Sequence, residues 1–236
     1  MNHFSDELTQ DIIVDKDNNY FTKIIEDVSK YIDKNKIVLD VGCGNGLFIY
    51  NIKKITNCKL YGIDSNKKSL EICNKLGYDE TFYCEDFSSS SLFQNNQNKF
   101  DLIICKDVFE HLFDPENLLI EIDKNLKDDG LFIFHVPNHF PLEGRIKILF
   151  NNKIDTFNYF PKCDPWNFPH IKFFTYESII NKVKKYNFNI AEEYSYLFFK
   201  LKFFNKILPQ NIKKILSKKF PNLFCESFTF LLKKKI

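Results

Sequence analysis

Short apolar runs, bounded by turn residues and separated by helix-length segments, recur between Ile37 and Pro137. "IVLDV" (37–41) leads into "LFIYNIKKI" (47–55), "KLYGID" (59–64) into "SNKKSLEICNKL" (65–76), and "FDLIIC" (100–105) into "DPENLLIEIDKNL" (114–126) and then "LFIFHV" (131–136). Strand and helix signals that alternate in this way predict an α/β fold, a parallel sheet with helices on both faces. Asp114-Pro115-Glu116 predicts a helix start: an N-cap acid, proline in the first turn, and a second acid near the positive helix end. Gly130 is expected to close that helical unit. "TFYCED" (81–86) is followed by polar, low-complexity "SSSSLFQNNQN" (88–98), expected to be a surface loop that replaces or shortens a crossover helix.

Beyond Pro137 the alternation stops. Residues 138–170 hold four prolines and one helix-like piece, and "TYESIINKVKKY" (175–186) then predicts an amphipathic helix with Thr175 as its N-cap. "FNIAEEYSYLFF" (188–199) and "ESFTFLLKK" (226–234) read as late strands enclosing a basic amphipathic segment near 203–219. At 236 residues the chain suits one domain. Its expected parts are an N-terminal helical cap (1–36), a core (37–137), an insertion (138–175) and a C-terminal helix with strands and a basic tail (176–236).

Composition changes the picture in three places. No apolar run approaches the ~20 residues of a membrane span, and the N-terminus lacks a basic region followed by an apolar core, so a cytoplasmic location is expected. The seven cysteines are scattered without a C-x-x-C, as reduced core residues are, and no metal site is expected. Net charge is local: residues 1–197 carry 23 basic and 30 acidic residues, a charge of −7, whereas 198–236 carry ten Lys and one acid. That tail allows peripheral contact with anionic lipid, without stable membrane insertion. No nucleic-acid module is recognised, and nothing in the sequence reports an oligomeric state.

The chemistry concentrates in "VLDVGCGNG" (38–46). Gly42 and Gly44 remove side chains after a strand so that backbone can approach a ligand, and the helix beyond offers amide donors. Asp64 follows Gly42 by 22 residues, at the end of the second strand, where a carboxylate can accept the hydroxyls of an adenosine ribose. A nicotinamide dinucleotide and S-adenosylmethionine both fit this far. Asp40 separates them, because a carboxylate beside the turn repels a pyrophosphate but attracts a ligand carrying a sulfonium and an ammonium. The spacing is also G-x-G-x-G, not the G-x-G-x-x-G of the dinucleotide fingerprint.

With "YGIDSN", "CEDF" and "FDLIICKDVFEHLFDPENLLIEIDKNLKDDGLFIFHVPN", the segment 37–138 resembles the class I S-adenosylmethionine-dependent methyltransferases. The resemblance implies a doubly wound, Rossmann-like sheet of seven strands, mostly parallel with the last antiparallel. It implies S-adenosyl-L-methionine as cofactor, with Asp40, Gly42, Cys43 and Gly44 at the methionine end and Asp64 and Ser65 at the ribose. Asp86 would accept from the adenine amine, Phe87 would pack on the ring, and Cys105 and Lys106 would offer mainly backbone near the sulfonium.

Methyl transfer to oxygen needs a proton acceptor, and histidine is the side chain best suited near neutral pH. His170, in "HIKFFTYESI", is the first candidate for this catalytic role, because that segment resembles methyltransferases of carbohydrate and cell-envelope pathways. His111, in "FEHL" past the fourth strand, is the second. The insertion 138–175 would cover the acceptor, with His139, Tyr159, Trp166 and Phe168 as walls. Arg145, the only Arg among 33 basic residues, would supply a planar fork for a phosphate or carboxylate. The expected activity is O-methylation of a small molecule, a sugar or nucleotide-linked sugar. The alternatives are a quinone-type phenol, because "DVFEHLFDPENLL" also resembles ubiquinone-pathway O-methyltransferases, and a non-catalytic cofactor-binding scaffold.

Overall fold

The computed structural model describes residues 19–87, 90–94, 97–151, 169–195 and 208–235. Seven strands, β1 (Ile37–Val41), β2 (Lys59–Asp64), β3 (Glu80–Tyr83), β4 (Phe100–Lys106), β5 (Leu126–Pro137), β6 (Phe188–Glu193) and β7 (Ser227–Lys234), form one sheet in the order β3-β2-β1-β4-β5-β7-β6. β7 runs antiparallel to both neighbours, and the pairings among β1 to β5 are parallel. The chain builds outward from β1 to β3 and then returns to lay β4 against β1. Strand order therefore reverses between β1 and β4, and open sheets of this kind bind ligands at the carboxyl ends of such a pair.

Alternate strand residues face opposite helical layers. Val38, Leu60, Leu102 and Ile104 pack with residues of α1 (Asn19–Ser29), α2 (Leu47–Thr56) and α3 (Lys67–Leu76). Leu39, Val41 and Ile103 share the other core with α4 (Ser91–Gln94), α5 (Pro115–Asn125) and α7 (Tyr176–Lys185). α6 (Leu142–Asn151), α8 (Gln210–Lys219) and α9 (Pro221–Phe224) are the remaining helices among the described residues. Local chemistry sets the ends as expected. Asp114 accepts from the N–H groups of Glu116 and Asn117, and Thr175 forms a capping box with Ser178.

Two local expectations change, and a third gains detail. Gly130 lies inside β5 and does not end α5: Phe100 pairs with Leu126 and Leu102 with Leu131, so 127–130 bulge from the register. Within 88–98, Ser91–Gln94 form a helical turn that buries Leu92 and Phe93, because two adjacent apolar residues suffice to anchor a polar stretch on the core. α8 buries Lys213 and Ser217 while leaving Ile212 and Ile215 exposed beside Lys214, Lys218 and Lys219, so its outward face mixes apolar and basic groups. No helix among the described residues is long and apolar enough to cross a membrane.

Candidate active site

Residues 42–46 carry the chain from the end of β1 into α2, with Gly42, Gly44 and Gly46 all left-handed (φ 68°, 52° and 70°). The N–H groups of Gly42 and Cys43 donate to the Ile63 carbonyl at 2.8 and 3.2 Å, tying the turn to the end of β2. The next residue, Asp64, accepts from Gly44 N–H on Oδ2 and from Asn66 N–H on Oδ1, each at 2.8 Å. Burial pushes its carboxyl upward and these backbone donors oppose that. Each oxygen retains a second lone pair for a ligand hydroxyl. A Cβ on Gly44 would meet nothing within 4 Å, so open space lies against the turn. A Cβ on Gly42 would stand 2.3 Å from Val108 Cγ2, so the segment after β4 packs directly on the turn.

Asp40 is buried, and Tyr78 donates its hydroxyl to Asp40 Oδ2 at 2.9 Å. Tyr78 reaches it because residues 46 and 62 are glycines: a Cβ at Gly46 or Gly62 would come within 2.8 and 2.9 Å of the ring. The sequence offers no signal for this partner, because a tyrosine after Gly77 reads as ordinary core. Burial raises the Asp40 carboxyl from 3.8 to about 7, with the Asp64 charge adding and the Tyr78 bond opposing. A cationic ligand nearby favours the ionised form and a phosphate disfavours it.

A pH dependence follows. Folding stability from the raised carboxyl is fully present below the ordinary value of 3.8 and is lost as pH rises through about 7. Asp40→Asn is therefore expected to melt higher than the parent protein at pH 8 and alike only at about pH 3.5, with the gap opening between 3.8 and about 7. Its S-adenosylmethionine affinity should fall by about tenfold or more. Melting curves across pH, with calorimetry, check both.

The other expected cofactor contacts lie along the same edge. Ser65 and Asp86 are exposed, and the Asp86 carbonyl accepts from Cys84 Sγ at 2.9 Å. Phe87 is buried in the core beneath them. Cys43 is buried with its sulfur 3.6 Å from that of Cys73, Cys105 is buried, and Lys106 pairs with Asp107. Asp107, itself left-handed at φ 55°, also meets His135 Nε2 at 3.2 Å, and His135 Nδ1 lies 2.6 Å from Thr229 Oγ1. His135 thus bridges β4 to β7.

Beyond Val108, a 3-10 turn (Phe109–His111) brings together three of the histidines singled out from the sequence. His139 Nε2 and His170 Nδ1 are 2.6 Å apart, and the His111 and His170 rings cross at 4.6 Å. The Glu110 carbonyl accepts from the N–H groups of Ile171 and Lys172, pinning the His170 segment across the turn. Burial lowers all three imidazoles, His139 to about 4 and His170 to about 3, so they are neutral bases at physiological pH. Glu110 is the residue that sequence reasoning missed. It is fully buried 4.0 Å from His170 Nε2, and its carboxyl is raised to about 8 by burial and by Asp107. The motif "FEHL" was the available signal, but acids next to histidines are common on surfaces.

Arg145 lies exposed on α6 and donates from Nε to the Phe140 carbonyl at 2.8 Å, so part of its fork is taken by backbone. Tyr159, Trp166 and Phe168 lie outside the described residues. On the far side of Phe109 is a cavity of about 270 Å³, lined chiefly by Phe109, Leu119, Phe134, Phe173, Ile179 and Val183. Its wall residue Phe173 stacks edge-on against His139 at 4.9 Å.

A methyltransferase-domain family model matches residues 15–193, most of the chain. The chain belongs to this family. Its cofactor is S-adenosylmethionine, and the open space at Gly44 beside the Asp64 carboxylate fits that group. The methyltransferase domain is 32% identical over 110 residues to the ubiquinone biosynthesis O-methyltransferase of Actinobacillus pleuropneumoniae, covering 44% of this chain and 46% of that protein. It is 28% identical over 109 residues to the ribosomal protein L11 methyltransferase of Dictyoglomus turgidum, covering 46% of this chain and 35% of that one. The matched segments thus span less than half of these curated relatives. Among solved structures, an S-adenosylmethionine-dependent methyltransferase from Archaeoglobus fulgidus shares the fold at TM-score 0.61 and 17% identity, over 91% of this chain and 94% of its own.

Proposed function

We propose that the protein transfers a methyl group from S-adenosylmethionine to an oxygen of a small molecule that carries an apolar part, as a quinone-type phenol does. The observation that carries this reading is the packing of Val108 on Gly42, which sets the histidine cluster directly beyond the cofactor turn. The cofactor supplies an electrophilic methyl group on a sulfonium. Asp64 takes the ribose hydroxyls, the turn amides and ionised Asp40 hold the cationic methionine end, and Asp86 with Phe87 receives the adenine. An acceptor hydroxyl placed at the cluster attacks the methyl carbon. The C–O bond forms as the C–S bond breaks, the bonding pair stays on sulfur, and the hydroxyl proton passes to the cluster. Alignment of oxygen, methyl and sulfur provides much of the rate.

Two features favour an apolar acceptor over the sugar expected from the sequence. The phenylalanine-lined cavity abuts the cluster through Phe173 and His139, and the outward face of α8 offers Ile212 and Ile215 with lysines to a lipid surface. The resemblance to a ubiquinone-pathway enzyme points the same way.

A radiolabelled methyl-transfer screen against phenol, sugar and amine acceptors tests the reading. Product on the phenol is expected, whereas transfer confined to sugars or amines overturns it. Binding of cofactor without any transfer would leave the scaffold alternative. His170→Ala is expected to lower kcat by about 10²–10³-fold with cofactor affinity intact, the size of a lost proton acceptor. Near-normal turnover would remove His170 from the role.

A further inference from the structure

The Glu110 carboxyl has no exposed surface, and neither of its side-chain oxygens has a hydrogen-bond partner. Taking a polar group from water without a replacement hydrogen bond is costly, and a charged one more so, so such an orphan implies a partner that completes it. What faces it is a pair of imidazoles: one ligand-type atom from each of Glu110, His111 and His170 lies within 4.8 Å of the other two. The ring nitrogens are already sorted for a cation. His111 Nδ1 lies 3.1 Å from the Pro169 carbonyl, which can only accept, so in the neutral ring the lone pair is on Nε2. The Nδ1 of His170 is engaged by His139 and its Nε2 faces Glu110 at 4.0 Å. With the proton on Nδ1, His170 donates to His139 and turns the Nε2 lone pair toward the carboxylate. Metal-binding histidines are held in this way, with the second nitrogen fixed by an outer partner.

We propose that Glu110, His111 and His170 form a binding site for a divalent first-row transition ion, with His139 orienting His170. Two imidazoles and one carboxylate suit Zn²⁺, Mn²⁺ or Co²⁺, whereas Mg²⁺ and Ca²⁺ prefer all-oxygen shells. Ligand atoms bonded to one ion at about 2.0–2.2 Å lie about 3.3–3.6 Å apart in a tetrahedral shell, so the 4.0 Å pair closes by roughly half an ångström and no pair by more than about 1.5 Å. Three protein ligands leave coordination positions open. The role of the ion rests on the methyl-transfer reading above, with one change: His170 as a ligand no longer accepts the proton, so an acceptor hydroxyl at an open position would become more acidic and lose its proton to solvent, and the resulting alkoxide or phenolate would attack the methyl carbon as the C–S bond breaks. The metal-free displacement expected from the sequence gives way to one in which the ion positions the nucleophile.

The test is direct. Full-length protein stripped with EDTA is titrated calorimetrically with Zn²⁺, Mn²⁺ and Mg²⁺, and with Co²⁺ while visible absorption is followed. One equivalent of Zn²⁺ or Co²⁺ is expected, with Co²⁺ ligand-field bands and weaker Mg²⁺ binding. Glu110→Gln and His170→Ala should each lower that affinity at least 100-fold while S-adenosylmethionine affinity stays within about threefold, which also reports correct folding. Cys73→Ser, which breaks the Cys43–Cys73 thiol contact in the other core, should leave metal affinity unchanged. The proposal falls if the parent protein binds no stoichiometric transition ion, or if only Cys73→Ser abolishes binding. Metal bound without transfer to any acceptor would leave the site standing and overturn the methyl-transfer reading.

Discussion

Gly42→Ala is expected to destabilise the fold by about 2–5 kcal/mol. Two separate causes add. The residue is left-handed at φ 68°, which costs a residue with a Cβ about 1–2 kcal/mol. The new methyl would stand 2.3 Å from Val108 Cγ2, and relieving such an overlap in a packed region costs about 1–3 kcal/mol. Val108→Ala in the same chain should recover the second part and not the first, so a double-mutant cycle by urea denaturation separates them. Gly44→Ala provides the contrast. It is left-handed at φ 52°, but its methyl meets nothing within 4 Å, so only the conformational cost of about 1–2 kcal/mol is expected. Its methyl enters the space assigned to the cofactor, so affinity should suffer more than stability. Equal stability losses for the two alanine variants would refute this account of the turn.

Asp64→Asn is expected to weaken S-adenosylmethionine binding by about 10- to 100-fold, the loss of about 1.5–3 kcal/mol that accompanies a charged hydrogen bond. Both carboxylate oxygens work: Oδ2 accepts from Gly44 and Oδ1 from Asn66, and the remaining lone pairs are those proposed for the ribose. An amide keeps one acceptor and turns its NH₂ group against either a backbone N–H or a ribose hydroxyl. The turn loosens and the ligand loses a charged acceptor together. Calorimetry with S-adenosylmethionine and its demethylated product should show parallel losses, because both carry the same ribose. An affinity within threefold of the parent would remove Asp64 from the ribose.

The two changes differ in how far sequence alone anticipates them. Asp64 is legible from its distance to the glycine turn and its place at a strand end, and Gly42 is legible as a residue required by a close approach. What approaches Gly42 is not legible: Val108 is 66 positions away and arrives because β4 lies beside β1. The same holds for Tyr78 on Asp40, which depends on slots left by Gly46 and Gly62, and for Glu110, whose meaning comes from losing all contact with water. Gly130 misled because glycine is as useful in a strand bulge as at a helix end. The register of β4 on β5 decides between the two.

By itself, the sequence determined the alternating elements, the helix caps and the order of the glycine turn and its acids. These are properties of neighbouring residues: periodicity, dihedral preference and local hydrogen bonding act over a few positions. Only the tertiary structure decided that residues 110, 111, 139 and 170 share one cluster, three of them buried, because burial and ring-to-ring distance are set when two distant segments cross. The Glu110 carbonyl binding Ile171 and Lys172 fixes that crossing, and no spacing along the chain encodes it.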